Sequence, residues 1–219
     1  STILNMTAGL LKPSHGTIRI FGEPLSGLNR RAGYMFQAKN LMPWRSALGN
    51  VIAGLEFKGV KKSEAIEKGR HWLRRVGLAG FEDSYPHHLS GGMRKRVSMA
   101  QTLIMDPDII LMDESFSSLD IQTRQLMENL LLDLWSGEMK AVLFITHDLD
   151  EAISMSDRVI VMSAGPASHP IGEFLIDLPR PRDVTEVRGD PSFVSLHRSI
   201  WNVLREEVLK GYENQMQRK

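Results

Sequence analysis

The sequence predicts an α/β fold in which a mostly parallel sheet carries an inserted helical segment. From residue 107 onward, apolar runs that favour strands alternate with helical segments, which is typical of parallel strands covered by helices on both faces. Between residues 48 and 105 the spacing of apolar residues is mostly helical instead. The chain contains no internal repeat and no low-complexity tract that would favour another architecture.

The individual elements follow in order along the chain. A short helix is expected at residues 2–10, ended by Gly9 and Pro13, and short strands are expected at 17–21 and 33–36. The later elements are a strand at 109–112, a helix at 121–135, a strand at 141–145, a helix at 149–155, a strand at 158–162, a strand through Phe174, Ile176 and Leu178, and an amphipathic helix at 191–209.

The composition is that of a globular protein without disulfides. With 219 residues, 42% of them hydrophobic and 24% charged, the chain is long and apolar enough to bury a good core. The net charge of +1 argues against a strong bulk attraction to nucleic acid or to an anionic membrane. The absence of cysteine excludes disulfides and thiolate metal sites. No apolar run approaches the roughly 20 residues needed to span a bilayer.

Polar side chains follow three of the predicted strands and begin the first helix. They are Gln37 after the strand at 33–36, Asp113 and Glu114 after 109–112, His147 after 141–145, and Ser1 with Thr2 at the helix start. In open parallel sheets, ligands bind beyond the carboxyl ends of the strands, and a helix start favours a phosphate. We therefore expect these residues to converge on one pocket.

Short motifs, all in the right order over roughly residues 1–180, give the chain a close resemblance to the nucleotide-binding subunit of ABC transporters. The matches are Ser1-Thr2 with the end of the phosphate loop G-x-x-x-x-G-K-[ST], Gln37 with the Q-loop, Leu89-Ser90-Gly91-Gly92-Met93 with the LSGGQ signature, residues 109–114 with the Walker B strand and catalytic Glu, Ser117-Ser118-Leu119-Asp120 with the D-loop, and His147 with the switch His. Any one of these could arise by chance, but the ordered set is very specific.

The resemblance implies an ATPase that uses ATP and Mg²⁺. Asp113 would hold the metal ion, together with Ser1 and Gln37. Glu114 would act as general base on the attacking water, Gln37 would reach the metal or that water, and His147 would bind the γ-phosphate, so these three are the predicted catalytic residues.

The resemblance also implies that nucleotide is bound between two subunits. Ser90, Gly91 and Gly92 would face the ATP of a second subunit, and Ser1, Thr2 and Asp120 would be further nucleotide-binding residues. The active unit would then be a head-to-tail homodimer.

Three segments narrow the resemblance to importers of the nitrate, sulfonate and taurine group: residues 36–44, 85–93 and 177–182. This group implies coupling of ATP hydrolysis to uptake of a small anion, with transmembrane permease subunits and an extracytoplasmic solute-binding protein as partners. The subunit would lie peripherally on the cytoplasmic face of the inner membrane, and no nucleic-acid partner is expected. The apolar residues 41–44 are expected to dock on the permease, with plain packing as the alternative.

On this resemblance the fold is a P-loop NTPase core at 1–39 and 107–180, a helical signature subdomain at 40–106 and a helical extension at 181–219. Because the chain starts at Ser1, within the phosphate-loop motif, we expect the lysine and glycines of that motif to precede it in a longer parent. Lys12 is too far along the chain to replace that lysine. The 219 residues alone are therefore expected to hydrolyse little ATP.

Several alternatives accompany this interpretation. A soluble ABC-type ATPase of DNA repair or translation usually carries a long coiled-coil insertion, which does not fit the short stretch between Gln37 and Ser90, and an inactive binding module is a third hypothesis. His87-His88 could bind a metal but fits an exposed loop better. The basic residues 94–96 could bind nucleic acid but fit an exposed helix face better. Ser115, where the family usually has proline, is expected to loosen the turn after Glu114.

Overall fold

The computed structural model describes residues 1–36, 41–116, 119–136, 140–165 and 167–216, apart from the side chains of residues 136 and 208–216. Gln37, predicted for catalysis and metal binding, and the predicted D-loop residues Ser117 and Ser118 lie outside the described residues. Internal contacts divide the chain into two compact units, residues 1–130 with 137–145 and residues 131–136 with 146–219. Each unit is described by itself.

The elements are numbered in chain order. They are α1 (Thr2–Thr7), β1 (Arg19–Ile20), β2 (Glu23–Pro24), β3 (Ala32–Met35), α2 (Ala47–Phe57), α3 (Lys62–Arg75), α4 (Gly91–Leu103), β4 (Ile109–Asp113), α5 (Ile121–Ser136), β5 (Ala141–Ile145), α6 (Leu149–Met155), β6 (Arg158–Met162), β7 (Pro170–Leu175) and α7 (Pro191–Met216). Short 3-10 helices lie at Pro86–His88 and Val187–Gly189. Within the described residues, no helix combines the length and hydrophobicity that crossing a membrane requires.

The first unit is built on a parallel sheet in the order β3-β4-β5. Met35 pairs with Met112 and Met112 with Phe144, so the three strands end at the same edge. β4 lies in the centre and is buried along its first four residues. Its apolar side chains pack with Leu4 of α1 and with Tyr34, which brings the start of the chain against the sheet.

The helices α2, α3 and α4 share a core of their own. Its buried members are Ala47, Val51, Ile52, Leu55, Ala65, Leu73, Val76, Leu78, Leu89, Val97, Ala100 and Ile104. Two serines begin these helices: the Ser46 side chain accepts the Gly49 N–H at 3.2 Å and the Ser90 side chain accepts the Met93 N–H at 3.2 Å. Such N-caps satisfy backbone donors that a helix start leaves without partners.

The prediction of an exposed basic face on α4 is wrong. Residues 94–96 are all partly buried. Arg94 donates to the Pro86 carbonyl at 3.3 Å, and the Lys95 ammonium donates to the Phe36 carbonyl at 3.3 Å. Burial lowers the pKa of Lys95. These cations therefore serve internal contacts of the first unit, because their long stems can pack while their charged ends reach carbonyls.

The second unit combines an antiparallel pair, β6 and β7, with the helices α6 and α7. Its core is formed by Ile153, Val161, Ile176, Leu178, Phe193 and Ile200, all of them buried. The strand at 158–162 has the predicted bounds, but β6 pairs antiparallel with β7 and not in the expected parallel sheet. β6 pairs with β7 because the two strands form a hairpin, and the local apolar pattern of a strand does not reveal its pairing partner.

Several predicted elements differ in extent, and α7 continues to Met216, beyond the predicted end at residue 209. β7 ends at Leu175, earlier than the predicted strand, since the Ile176 N–H donates to the Asp157 carbonyl at 3.0 Å and Ile176 enters the core outside the ladder. The strand at 17–21 is reduced to β1 because Phe21 and Gly22 turn the chain with φ of 50° and 86°. The helix at 2–10 ends at Thr7, and Gly9 has a φ of 73°, where a Cβ would lie 1.9 Å from the Gly27 carbonyl oxygen.

The predicted boundaries of the ATPase core, the signature subdomain and the C-terminal extension stay predictions.

Candidate functional site

Asp113 is the point at which three elements of the first unit meet. It is the last residue of β4, and its side chain is only 14% exposed. The main-chain nitrogen of Ser1, at the start of α1, lies 3.7 Å from Asp113 Oδ1. The Tyr34 hydroxyl of β3 lies 3.4 Å from Asp113 Oδ2. Within this unit, the start of α1 and the end of β3 therefore lie beside the Asp113 carboxylate. The predicted convergence of these residues with Gln37 and His147 on one pocket stays a prediction.

Tyr34 is a site residue that the sequence did not single out. Its hydroxyl also lies 3.3 Å from Asn5 Oδ1, and its ring stacks on Phe36 at 4.1 Å between centroids. Burial raises the pKa of Tyr34, and the charge and hydrogen bonding of Asp113 raise it further. The phenol therefore stays a hydrogen-bond donor beside the carboxylate. Strand alternation, which puts Tyr34 and Phe36 on one face, was the available signal.

Glu114 occupies a strained backbone position directly after β4. Its φ is 43°, in the left-handed region that residues with a Cβ rarely enter. Its N–H donates to the Ile145 carbonyl at the end of β5 at 2.9 Å. Strain of this kind costs about 1–3 kcal/mol and is concentrated at functional sites. Two adjacent residues, Asp113 in β4 and Glu114 in the turn, therefore have different backbone conformations.

Ser115 stabilises this turn, contrary to the expectation that it would loosen it. The residue is 3% exposed, and its hydroxyl donates to the Met35 carbonyl at 3.1 Å. Because Met35 ends β3, the hydrogen bond ties the turn after β4 to the neighbouring strand. A serine here supplies a donor that a proline could not, so the substitution exchanges ring rigidity for a buried hydrogen bond.

The predicted signature residues lie at the start of α4, where they meet the start of α5. Ser90 is the N-cap of α4, and the position of a Cβ on Gly91 is free of atoms within 4 Å. A Cβ on Gly92 would instead lie 2.6 Å from the Thr123 methyl group. The Asp120 side chain accepts the Thr123 N–H at 3.0 Å. Thr123 thus links two predicted nucleotide-binding segments inside one unit.

Asp120 is held as an anion by this arrangement. Hydrogen bonds from Thr123 are the first cause that lowers the pKa of Asp120. The carboxylate therefore caps the first turn of α5 over the whole physiological range of pH. Capping a helix start in this way satisfies backbone donors and complements the helix dipole.

His147 belongs to the second unit, where it lies exposed in the turn before α6. The Asp148 side chain accepts the Glu151 N–H at 3.2 Å and caps α6. The Asp148 N–H donates to Thr146 Oγ1 at 3.0 Å, and Thr146 Oγ1 in turn hydrogen-bonds the buried Glu151 carboxyl. His147 is therefore carried by a turn with three internal hydrogen bonds.

The donor set at Asp113 fits a magnesium ion that arrives with a nucleotide. Among the residues that the structure describes, no group of three or more His, Asp or Glu side chains is arranged to hold a metal alone. Mg²⁺ is usually bound by one or two carboxylates together with substrate phosphates and water. The Asp113 carboxylate supplies one such oxygen ligand beside the start of α1, and nucleotide phosphates and water would supply the others.

Comparison with known proteins points in one direction. The ABC transporter family matches residues 1–117. An ABC transporter ATP-binding protein of Methanocaldococcus jannaschii, uncharacterized, is 47% identical over 96% of this chain and 77% of its own length. The nitrate import ATP-binding protein NrtD of Synechocystis is 37% identical over 94% and 79%. The taurine import ATP-binding protein TauB of Escherichia coli is 35% identical over 94% and 82%.

Solved structures agree with these relatives. A dimeric ATP-binding cassette in a post-hydrolysis state, bound to ADP and Pi, superimposes with a TM-score of 0.64 at 32% identity. The match covers 73% of this chain and 74% of that one. A P-loop α/β core with a parallel sheet is therefore the fold of the present chain as well.

Proposed function

Because this chain belongs to the ABC transporter family and is an ATP-binding subunit of the ABC ATPase type, we propose that it couples ATP hydrolysis to import of a small anion of the nitrate, sulfonate and taurine type. The convergence of Ser1, Tyr34 and Asp113 at the carboxyl edge of the parallel sheet carries the proposal. The relatives named for taurine and nitrate import support the solute class.

The residues predicted for the nucleotide site would have distinct tasks. Asp113 and Ser1, with Gln37, would hold Mg²⁺, which neutralises phosphate charge during phosphoryl transfer. Glu114 takes a proton from the attacking water, and its anchored backbone fixes the direction from which it does so. His147 binds the γ-phosphate.

The nucleotide is shared with a second copy of the subunit. The helix start formed by Ser90, Gly91 and Gly92 has no bulky side chains on its glycines, so phosphates can come close to the backbone N–H groups. This suits the phosphates of an ATP held by the partner. Thr2 and Asp120 complete the nucleotide contacts. The active unit in this proposal is a head-to-tail homodimer.

The permease docks on the loop that precedes α2. Trp44 is 73% exposed, although it lies in a loop that is firmly held. The fully buried Asn50 side chain accepts the Met42 N–H at 2.7 Å and donates to the carbonyls of Met42, Arg45 and Ser46 at 3.0–3.1 Å. A large exposed aromatic side chain on a rigid loop is typical of a protein–protein anchor. Through this contact the subunit would lie peripherally at the cytoplasmic face of the membrane, and the solute-binding protein would act through the permease.

The proposal is tested with protein that carries a complete phosphate loop before Ser1. Glu114→Gln should lower kcat by about 100-fold or more while ATP binding is retained, because only the proton acceptor is lost. Glu173→Gln, on the exposed face of β7, is the matched control and should leave kcat unchanged. Unaltered turnover in the Glu114 variant would refute the assignment.

The solute class needs a separate measurement. Cells that depend on this subunit and its permease should take up labelled nitrate, taurine or an alkanesulfonate, and the Glu114→Gln variant should abolish the uptake. Normal ATPase activity without uptake of any of these anions, or without a co-purifying permease, would favour a soluble ABC-type ATPase.

A further inference from the structure

The C-terminal part of the second unit holds α6, the helix that follows His147, at both of its ends. α6 has only seven residues. Isolated helices of this length are not stable in water, so the placement of α6 depends on what packs against it. All the contacts that follow lie within the second unit.

Two arginines bind the carbonyl groups at the end of α6. The Arg182 guanidinium, 2% exposed, donates to the carbonyls of Ser156 at 2.6 Å and Ser154 at 3.5 Å. Arg180 donates to the Met155 carbonyl at 3.3 Å. The last carbonyls of a helix have no partner within the helix and carry partial negative charge. The arginines supply both the missing donors and the opposite charge.

Arg182 and Arg180 also bind groups that lie outside α6. Arg182 also donates to the carbonyls of Ile176 at 3.2 Å and Leu178 at 2.8 Å, and Arg180 forms an ion pair with Asp157 at 2.7 Å. One planar guanidinium thus joins the segment after β7 to the end of α6. A lysine ammonium cannot reproduce this fork of donors.

The beginning of α6 is held by a separate set of contacts. Asp150, in the first turn, lies 3.6 Å from Arg188 Nη1 and 3.5 Å from His197 Nε2. Arg188 belongs to the 3-10 helix before α7 and His197 to α7 itself. Between these polar contacts, Ile153 of α6 is buried in the same core as Phe193 of α7.

We propose that residues 176–200 position the His147 turn through α6, so that Arg182 and the Asp150–Arg188 ion pair are positioning residues for ATP hydrolysis. The hydrogen bonds among Thr146, Asp148 and Glu151 transmit the position of α6 to His147, because they join the turn to the first turn of the helix. The inference rests on the proposed function, since His147 contributes only if ATP is hydrolysed.

The test compares two ion pairs of the second unit in the full-length subunit. Arg188→Gln and Asp150→Asn, alone and together, remove the pair at α6. Glu173→Gln removes the pair with Arg158, at 3.2 Å on the β6–β7 hairpin, which does not involve α6. The measurements are kcat and KM for ATP, and amide hydrogen exchange over residues 146–151.

Each single α6 variant should lower kcat about two- to fivefold with KM for ATP changed less than about twofold, the range expected for a partly exposed ion pair. The double variant should lose no more than the stronger single one, because both remove the same interaction. Exchange over residues 146–151 should become faster. Arg182→Lys should lower kcat further, and if it fails to fold, the α6 ion-pair variants still decide the question. Glu173→Gln should match wild type in every measurement.

If the wild type is active and neither Arg188→Gln nor Asp150→Asn changes kcat or hydrogen exchange, the positioning inference is wrong, while the proposed function is unaffected. Equal losses in Glu173→Gln would also overturn it, because the effect would then be general destabilisation. An inactive wild-type subunit would refute the proposed function, and the inference with it.

Discussion

At the residue scale, the turn after β4 places two adjacent carboxylates in different surroundings. Asp113 and Glu114 are neighbours in sequence, but one lies beside Ser1 and Tyr34 and the other is anchored to Ile145 in a left-handed conformation. Two carboxylates in different environments can divide the work of metal binding and proton transfer. The proposed division of roles between Asp113 and Glu114 depends on the local hydrogen bonds that keep the turn in place.

Ser115→Ala tests those hydrogen bonds. The free energy of unfolding should fall by about 1–2 kcal/mol, because the Met35 carbonyl loses its buried donor. kcat should fall as well, since the adjacent Glu114 loses part of its anchoring. Urea unfolding and ATPase assays measure both, with the exposed Ser63→Ala in α3 as control. Identical unfolding curves for the Ser115 variant and wild type would contradict the role assigned to this hydroxyl.

Gly91 and Gly92, two adjacent glycines of the signature, differ in how much space surrounds them, so the same substitution can be compared at both. Gly92→Ala should reduce stability by about 1–2 kcal/mol, because its Cβ would lie 2.6 Å from the Thr123 methyl group. Gly91→Ala meets no atom within 4 Å and should change stability little. Thr123→Ala should restore stability in the Gly92 variant, since it removes the clashing methyl group and keeps the backbone N–H bound to Asp120. Equal losses for both glycines would show that flexibility, not close approach, matters here.

At the element scale, α2 acts as the support for the loop before it. The loop has little regular structure, yet the buried Asn50 side chain donates to the carbonyls of Met42, Arg45 and Ser46. A polar group that is fully buried and fully bonded rigidifies its surroundings, whereas one without partners would be costly. Mutating Asn50 therefore tests the support of the loop, and mutating Trp44 tests the exposed side chain that the loop carries.

Asn50→Ala should destabilise the subunit by about 1–3 kcal/mol, because the Met42 N–H and the Arg45 carbonyl lose the side chain that binds them. It should also weaken co-purification with the permease. Trp44→Ala should weaken co-purification just as much but leave the unfolding midpoint near that of wild type, since the indole is largely exposed. The measurements are thermal unfolding of the isolated subunit and detergent pull-down of the complex. Undiminished permease binding by the Trp44 variant would exclude this loop as the docking surface.

At the scale of the whole molecule, the sequence predicted the positions of strands and helices better than it predicted which strands pair. The apolar runs at 141–145 and 158–162 and the helix at 149–155 have the predicted bounds, because each is short, strongly patterned and bounded by polar or turn residues. The pairing of β6 with β7 was missed because hydrogen-bond partners are not encoded in a local pattern.

The candidate site shows the same limit. Motif order placed Asp113, Glu114 and His147 at strand ends, where the structure has them. The contacts that hold them were not predictable: Tyr34 reaches Asp113 across 79 positions, and Ser115 reaches Met35 across 80. Such contacts follow from sheet register, which is fixed only when the whole unit folds.

The proposed head-to-tail dimer can be tested through Gly91, because a Cβ added to this residue would meet no atom of the subunit within 4 Å. In a Glu114→Gln protein with a complete phosphate loop, ATP should drive dimer formation, since nucleotide is bound and not hydrolysed. Adding Gly91→Asp should leave the subunit folded but abolish the dimer, because a carboxylate at this helix start would face the partner's phosphates at short range. Ser63→Asp, which places the same charge in the first turn of α3, is the matched control and should still dimerise. Light scattering with and without ATP distinguishes the two, and a dimer that persists in the Gly91 variant would show that the signature does not face a partner's nucleotide.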